Sequence, residues 1–139
     1  AEKYGKQVIA LEQIPEEEIS KFGVVDPESS EGSVSHLKAI VEKPLAKDAP
    51  SNLAVVGRYL FNKSIFTHID NDSAGKNGEI QITDAILSNI NDFIGYEFEG
   101  DRFDCGSKVG YLKANIALGL ANEELSLRLK KYIEEIKDL

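Results

Sequence analysis

The sequence contains no methionine and no tryptophan, and a single cysteine, Cys105, among its 139 residues. One thiol cannot close an internal disulfide, so nothing calls for an oxidising compartment and cytoplasm is the default location. No apolar run approaches the roughly 20 residues that a membrane span needs. The polar opening AEKYGKQ carries no signal-peptide pattern, so a membrane is not an expected partner. Cations are also in short supply: 16 Lys and Arg stand against 24 Asp and Glu, a net charge of −8. Nucleic-acid binding is driven by basic patches that neutralise phosphates, so nucleic acid is excluded as the main partner. A phosphorylated small molecule is not excluded, because it needs only one or two placed cations and a metal. Methionine is absent even at position 1, and no helix start signal precedes Gln7. The chain is therefore expected to begin inside a larger protein. Internal repeats and low-complexity linkers are absent as well.

What is present is the composition of a globular protein, with 42% hydrophobic and 29% charged residues. The length suits one domain or part of one, with enough chain to bury a core without staples. Gln7 to Ile14 reads as an apolar strand stopped by Pro15, and the acids after it suit a short helical turn. Phe22 to Val25 is a β-rich run, followed by a Pro/Ser/Gly-rich hairpin or exposed loop from Asp26 to Ser33. Leu37 to Lys43 reads as a strand ended by Pro44. Leu53 to Phe61 is the most apolar strand, of the kind buried on both faces, with Gly57 suggesting a bulge or a close approach to the backbone. Short helices are predicted over Lys63 to Ile69 and Ala85 to Ile90, with a loop from Asn71 to Gly78 between them and a strand from Ile94 to Phe98 after them. Ser107 is placed to cap a helix over 108–120. A last helix over 123–139 carries Leu125, Leu129, Tyr132, Ile133 and Ile136 on one face. Strands early and helices late fit an α/β domain, or the completing half of one.

Several residues could carry chemistry. Glu42-Lys43-Pro44 ends a predicted strand with an acid, a base and a chain break. Ligands of α/β sheets bind beyond the carboxyl ends of strands. There a carboxylate can accept two sugar hydroxyls and an ammonium can hold a phosphate. A solvated pair at a strand end is the alternative. Asp104-Cys105-Gly106 precedes a helix, where an aspartate could help bind Mg²⁺ or simply begin a turn. Cys105 has no histidine near it in sequence to activate it. His36 and His68 lack metal-ligand spacing and suit surface or structural roles.

The run FGVV, VEKP, DAPSNLAVVGRYLF, GEIQITDAI and DCGSKVGYLKAN resembles bacterial UTP–glucose-1-phosphate uridylyltransferase, in its C-terminal half, from Gln7 to Ala121. FGVV and VEKP are shared with other sugar-phosphate nucleotidyltransferases, whereas SNLAVVGRY and DCGxKxGYLKA are specific. The resemblance implies an α/β fold: the C-terminal part of a Rossmann-like nucleotidyltransferase mixed sheet with flanking helices. The whole of 1–139 would be the sugar-phosphate-binding portion, with a helical tail from about 107 to 139. It implies formation of UDP-glucose and pyrophosphate from UTP and glucose 1-phosphate, with Mg²⁺ as cofactor. By motif, the Gly23 amide and Glu42 would hold glucose hydroxyls, and Lys43 would contact the sugar phosphate. Asp104 would be one of two aspartate ligands of the metal. Val56 and Gly57 would wall the sugar, and Glu79 and Gln81 would border its pocket. The implied partners are glucose 1-phosphate or UDP-glucose and the absent N-terminal half of the same enzyme, in a homo-oligomer.

The departure from that pattern is the glycine-rich signature with its arginine and lysine, for which no GxGTR-like run exists here. The other metal-binding aspartate is absent with it. A stand-alone, non-catalytic binding or oligomerisation module is the alternative reading, and a mass measurement of the native gene product separates the two. With no group to cradle the UTP phosphates, the 139-residue chain by itself is expected to give no pyrophosphate release. A coupled assay with UTP, glucose 1-phosphate and Mg²⁺ checks this, and turnover above background would refute it.

Overall fold

The computed structural model describes residues 2–69 and 80–138, in two compact units, Ala1–Phe98 and Glu99–Leu139. The predicted loop over 71–78, and Glu79 beside it, lie outside the described residues. The first unit is a mixed five-stranded sheet closed into a ring: β1 (Gln7–Gln13), β2 (Gly23–Glu31), β3 (Val34–Glu42), β4 (Leu53–Leu60) and β5 (Phe93–Glu97). Around the ring the order is β1, β4, β2, β3, β5, and among the described residues only the closing pair β5–β1 is parallel.

β1 shows why the ring has an inside. Ile9 and Leu11 alternate inward and are wholly buried, while Val8 and Ala10 on the other face are half-buried. Pro15, with φ −60° and ψ 149°, stops the strand and opens a 3₁₀ turn over Glu16–Lys21. Ile9 and Leu11 meet Val25, Leu37, Ile40, Leu53 and Phe93 in one core. The helix α1 (Ile82–Leu87) adds Ala85 and Ile86 to it, and the 3₁₀ turn Lys63–His68 adds Ile65. A second cluster joins Ile14, Ile19, Val24 and Ala54.

Of the two readings of the Pro/Ser/Gly-rich stretch from Asp26 to Ser33, the hairpin is the one observed: β2 runs through it to Glu31, and the turn is confined to Gly32 and Ser33, so it is not an exposed loop. Pro27 is accommodated because the β2–β3 register shifts on either side of it, between Asp26 and Pro27 and between Pro27 and Ser29. A bulge needs no ladder donor at the proline. Gly32, with φ +57°, takes the left-handed turn position. The expectation for β4 is corrected, because it is not buried on both faces. Leu53 and Ala54 are buried, but Leu60 is 55% exposed. The bulge foreseen at Gly57 is present: Ile9 pairs with Tyr59 and Leu11 with Val55, so β4 carries extra chain where Gly57 sits at φ +71°.

The second unit is a helical hairpin of α2 (Lys108–Ala121) and α3 (Glu123–Ile136). Ser107 caps α2 by accepting from the Gly110 N–H at 3.0 Å. Asn122 caps α3 by accepting from Glu124 and Leu125, with two acids in the first turn. Leu129 and Ile133 of the predicted apolar face are half-buried, whereas Leu125 and Tyr132 are exposed.

Gly95 shows how tightly the ring is packed. It pairs with Ile9 and Ser35, and a β-carbon there would run into the Leu11 side chain and lie 3.2 Å from Leu37 Cδ2. Gly95→Val is expected to lower stability by ~1–3 kcal/mol through overpacking. A urea unfolding curve reads this directly, and an unchanged midpoint would mean the ring interior has slack.

Candidate functional site

The site begins with a pairing. In the β2–β3 ladder, Gly23 stands directly across from Glu42, so the first residue of one strand meets the last residue of the next. Facing cross-strand residues on one side of a sheet are near neighbours. Gly23 has no side chain to contest the space, and a β-carbon there would lie 2.9 Å from Glu42 Oε2. The glutamate carboxylate thus lies over a bare stretch of backbone.

Lys43 follows immediately, and in a continuing strand it would point to the opposite face. The strand does not continue. Lys43 takes φ +46°, the one left-handed non-glycine residue among those described, while its N–H donates to the Phe22 carbonyl at 3.1 Å. This turn brings its ammonium to 4.0 Å from Glu42 Oε1. Both side chains are more than half exposed, so the pair itself adds little stability. Its interest lies in placing an acceptor and a cation side by side. A non-glycine residue held in the left-handed region is strained, and such strain gathers at functional sites.

Around Glu42 lies a cavity of about 240 Å³, lined by Lys21, Phe22, Gly23, Glu42, Val55, Gly57, Tyr59, Gln81, Ile82 and Thr83. Four residues singled out from the sequence therefore share one cavity: Gly23, Glu42, Gly57 and Gln81. Lys43 borders it through its ion pair with Glu42. Val56 does not line it, and its neighbour Val55 does. The reason is the strand period of two: Val55, Gly57 and Tyr59 share a face that Val56 leaves. That alternation, counted outward from Gly57, was the signal that could have found Val55 and Tyr59. Phe22 and Thr83 fall inside the FGVV and GEIQITDAI runs without having been named for the site, and no signal marked Lys21, which reaches the cavity through tertiary folding.

Tyr59 is the most informative of these additions. Its ring stacks on Phe61 at 5.0 Å, and Phe61 meets the core residue Phe93 edge-on at 6.0 Å. Burial raises the phenol above its ordinary pKa of 10.0, and the Glu42 carboxylate raises it further. A neutral hydroxyl and a carboxylate therefore face one space. A larger groove of about 630 Å³ on this unit shares only Tyr59 with this cavity; it is lined by side chains such as Val8, Arg58, Leu60 and Ile94, and it gathers none of Gly23, Glu42, Gly57 or Gln81.

Asp104 belongs to the second unit. Its Oδ1 accepts from the Gly106 N–H at 3.0 Å, and its carbonyl accepts from the Ser107 N–H at 3.3 Å and hydroxyl at 3.1 Å. The turn reading of this segment thus describes its backbone. Asp104 is itself exposed, and these turn contacts engage only Oδ1 of its carboxylate, so the two readings are compatible. One hard oxygen donor fits Mg²⁺, which takes one or two carboxylates with phosphate oxygens and water. Among the described residues no group of three or more His, Cys, Asp or Glu side chains gathers as a complete metal site. Cys105 is exposed, and His68 is within 3.3 Å of the Ser88 hydroxyl. No helix among the described residues is long and apolar enough to cross a membrane.

The site is thus an acid–base pair at the carboxyl end of a strand, beside a small cavity, where ligands of α/β sheets bind. Residues 1–119 match the nucleotidyl transferase family, and the chain belongs to it. It is 41% identical over 135 residues to UTP–glucose-1-phosphate uridylyltransferase of Bacillus subtilis (strain 168), covering 96% of this chain and 46% of that protein. The enzyme of the same name from Staphylococcus epidermidis is 39% identical over 137 residues, covering 97% and 48%. Among solved structures, a UDP-glucose pyrophosphorylase complexed with UDP-glucose superposes with a TM-score of 0.78 at 44% identity, covering 87% of this chain and 47% of that one. UDP-glucose pyrophosphorylase from Acinetobacter baumannii gives 0.85 at 38% identity, covering 97% and 47%. The chain spans about half the length of the curated relatives it matches.

The raised Tyr59 phenol yields a test. Folding favours its neutral form, so its contribution to stability is complete below pH 10.0 and is lost as the pH rises through the higher folded-state value. Glu42→Gln should lower the Tyr59 pKa while leaving it above 10.0, because burial, the larger cause, remains. Phenolate absorbance, taken as the difference from Tyr59→Phe, measures this. An unmoved titration would separate Tyr59 from Glu42.

Proposed function

We propose that this chain supplies the sugar-phosphate side of an enzyme that forms UDP-glucose and pyrophosphate from UTP and glucose 1-phosphate. The observation that carries the reading is the convergence of Gly23, Glu42, Gly57 and Gln81 on one cavity, with the Lys43 ammonium 4.0 Å from the carboxylate. The relatives named for this reaction support it. In this reading residues 1–139 form the sugar-phosphate-binding portion, with the helical hairpin as its tail, and the rest of the full-length enzyme holds the uridine nucleotide.

Glu42 accepts hydrogen bonds from glucose hydroxyls, and the Gly23 backbone amide donates to another. Gln81 offers both a donor and an acceptor at the rim, and Val55 with Gly57 forms the wall. Lys43 holds the sugar phosphate, one oxygen of which attacks the α-phosphorus of UTP in line as pyrophosphate leaves. The residues here position two anions that repel one another and offset their charge, which is most of what phosphoryl-type transfer asks of a protein. Asp104 would hold the metal through its carboxylate, together with an aspartate from outside this chain. Bound Mg²⁺ supplies charge neutralisation at the reacting phosphates.

Glu42→Gln and Lys43→Ala in the full-length enzyme are expected to fail differently. An amide accepts hydrogen bonds less strongly and brings donors of its own, so glucose 1-phosphate affinity should fall. Each charge-assisted bond lost is worth roughly 1.5–3 kcal/mol, or about one to two decades. Discrimination against galactose 1-phosphate should narrow with it. Lys43→Ala should weaken use of both sugar phosphates alike. Steady-state kinetics with the two substrates decides the matter, and an unchanged glucose-to-galactose ratio of kcat/KM in Glu42→Gln would rule out the assigned role of Glu42.

A further inference from the structure

The turn carrying Asp104 does not merely precede α2 but folds back across its first turn. In a helix each Cα–Cβ bond leans toward the N-terminus. At position 110, the third residue of α2, such a bond would aim straight at the turn. A β-carbon there would collide with the Asp104 carbonyl oxygen, and would lie 2.8 Å from the Asp104 carbonyl carbon and 2.6 Å from Ser107 Oγ. The first two obstacles are backbone, which cannot swing aside as a side-chain tip can. Ser107 then fastens the turn from both directions: its hydroxyl donates to the Asp104 carbonyl and accepts from the Gly110 N–H. The Asp104 carboxylate is held in turn by the Gly106 N–H.

Helix propensity alone makes glycine a poor choice at this place, since alanine is the better helix former. The same helix offers a contrast. A β-carbon at Gly119 would meet only Leu129 Cδ2, at 2.7 Å, the far end of a flexible side chain. Gly119 is thus a site of helix–helix approach, whereas Gly110 is a vacancy that the Asp104 turn fills.

We infer that Gly110 and Ser107 are positioning residues that hold the Asp104 carboxylate in place to bind metal. Gly110 acts by leaving room for the turn, and Ser107 by clamping it. The inference rests on the proposed role of Asp104 as a metal ligand. It assigns catalytic consequence to two residues that themselves touch neither metal nor substrate.

The test uses the full-length uridylyltransferase in four variants: Asp104→Asn, Gly110→Ala, Ser107→Ala and Gly119→Ala. Mn²⁺ binding in the presence of UDP-glucose is followed by loss of the free-ion electron paramagnetic resonance signal, and thermal midpoints are recorded alongside. Asp104→Asn should weaken Mn²⁺ binding at least tenfold, and Gly110→Ala should approach that loss. Ser107→Ala should weaken it several-fold, and Gly119→Ala should leave it unchanged. In Gly110→Ala, kcat should fall while KM for glucose 1-phosphate stays within twofold, a split that general loosening of the fold would not produce. If Asp104→Asn weakens Mn²⁺ binding but Gly110→Ala binds normally, the inference is overturned and the metal role of Asp104 stands. If Asp104→Asn itself binds normally, the metal role falls and the inference with it. Should Gly110→Ala not fold, Ser107→Ala decides: weakened binding supports the inference, and unchanged binding overturns it.

Discussion

The register of the β2–β3 ladder is the constraint on which the candidate site depends. Because side chains alternate along a strand, a slip of one residue would move Glu42 away from Gly23 and turn it to the other face. The register is held from both ends. Buried Val25, Leu37 and Ile40 lock one face into the core, and the tight turn at Gly32 and Ser33 fixes the far end. Two shifts beside Pro27 are absorbed between these anchors, so irregularity in the middle of the hairpin does not propagate to the end where the carboxylate sits. Everything else at the cavity is arranged around that fixed carboxylate, including the left-handed Lys43 and the phenol of Tyr59.

Much of the fold was legible in the sequence because its signals are local. The apolar run of Gln7 to Ile14, the prolines at 15 and 44, and the cap Ser107 mark boundaries within a few residues of those observed. What was not legible depends on partners distant in the chain. The stretch from Asp26 to Glu31 reads equally as hairpin or exposed loop, and it becomes a strand because β3 offers it a ladder. The apolar run of β4 suggests burial on both faces, yet its last residues emerge once the bulge at Gly57 turns the chain.

The site divides along the same line. Glu42 and Lys43 could be named from their place at a strand end, but adjacent residues in a strand diverge, and nothing in the sequence foretells the φ of +46° that brings the charges together. Lys43 also precedes Pro44, whose ring disfavours the right-handed helical conformation for the residue before it. Val56 was named where Val55 lines the cavity, an offset of one residue that inverts the face. Tyr59 draws its raised pKa from burial and from a carboxylate seventeen positions earlier (59 − 42), a relation that only the folded ring creates.

The closure of that ring has a consequence for how the cavity responds to temperature. β2 and β4 are joined by one residue pair, Val24 with Ala54, and the Ser51 hydroxyl straps the seam by donating to the Val25 carbonyl at 2.6 Å. Both paired residues are wholly buried, with Ile14 and Ile19 packed over them. The joint is thus held more by excluded water than by a hydrogen-bonded ladder. Apolar burial carries a large heat-capacity change and weakens on cooling. Phe22, Gly23 and Glu42 stand on one side of this seam, and Val55, Gly57 and Tyr59 on the other. The wall of the cavity is therefore fastened where the sheet is thinnest, by the force whose strength depends most on how warm the water is.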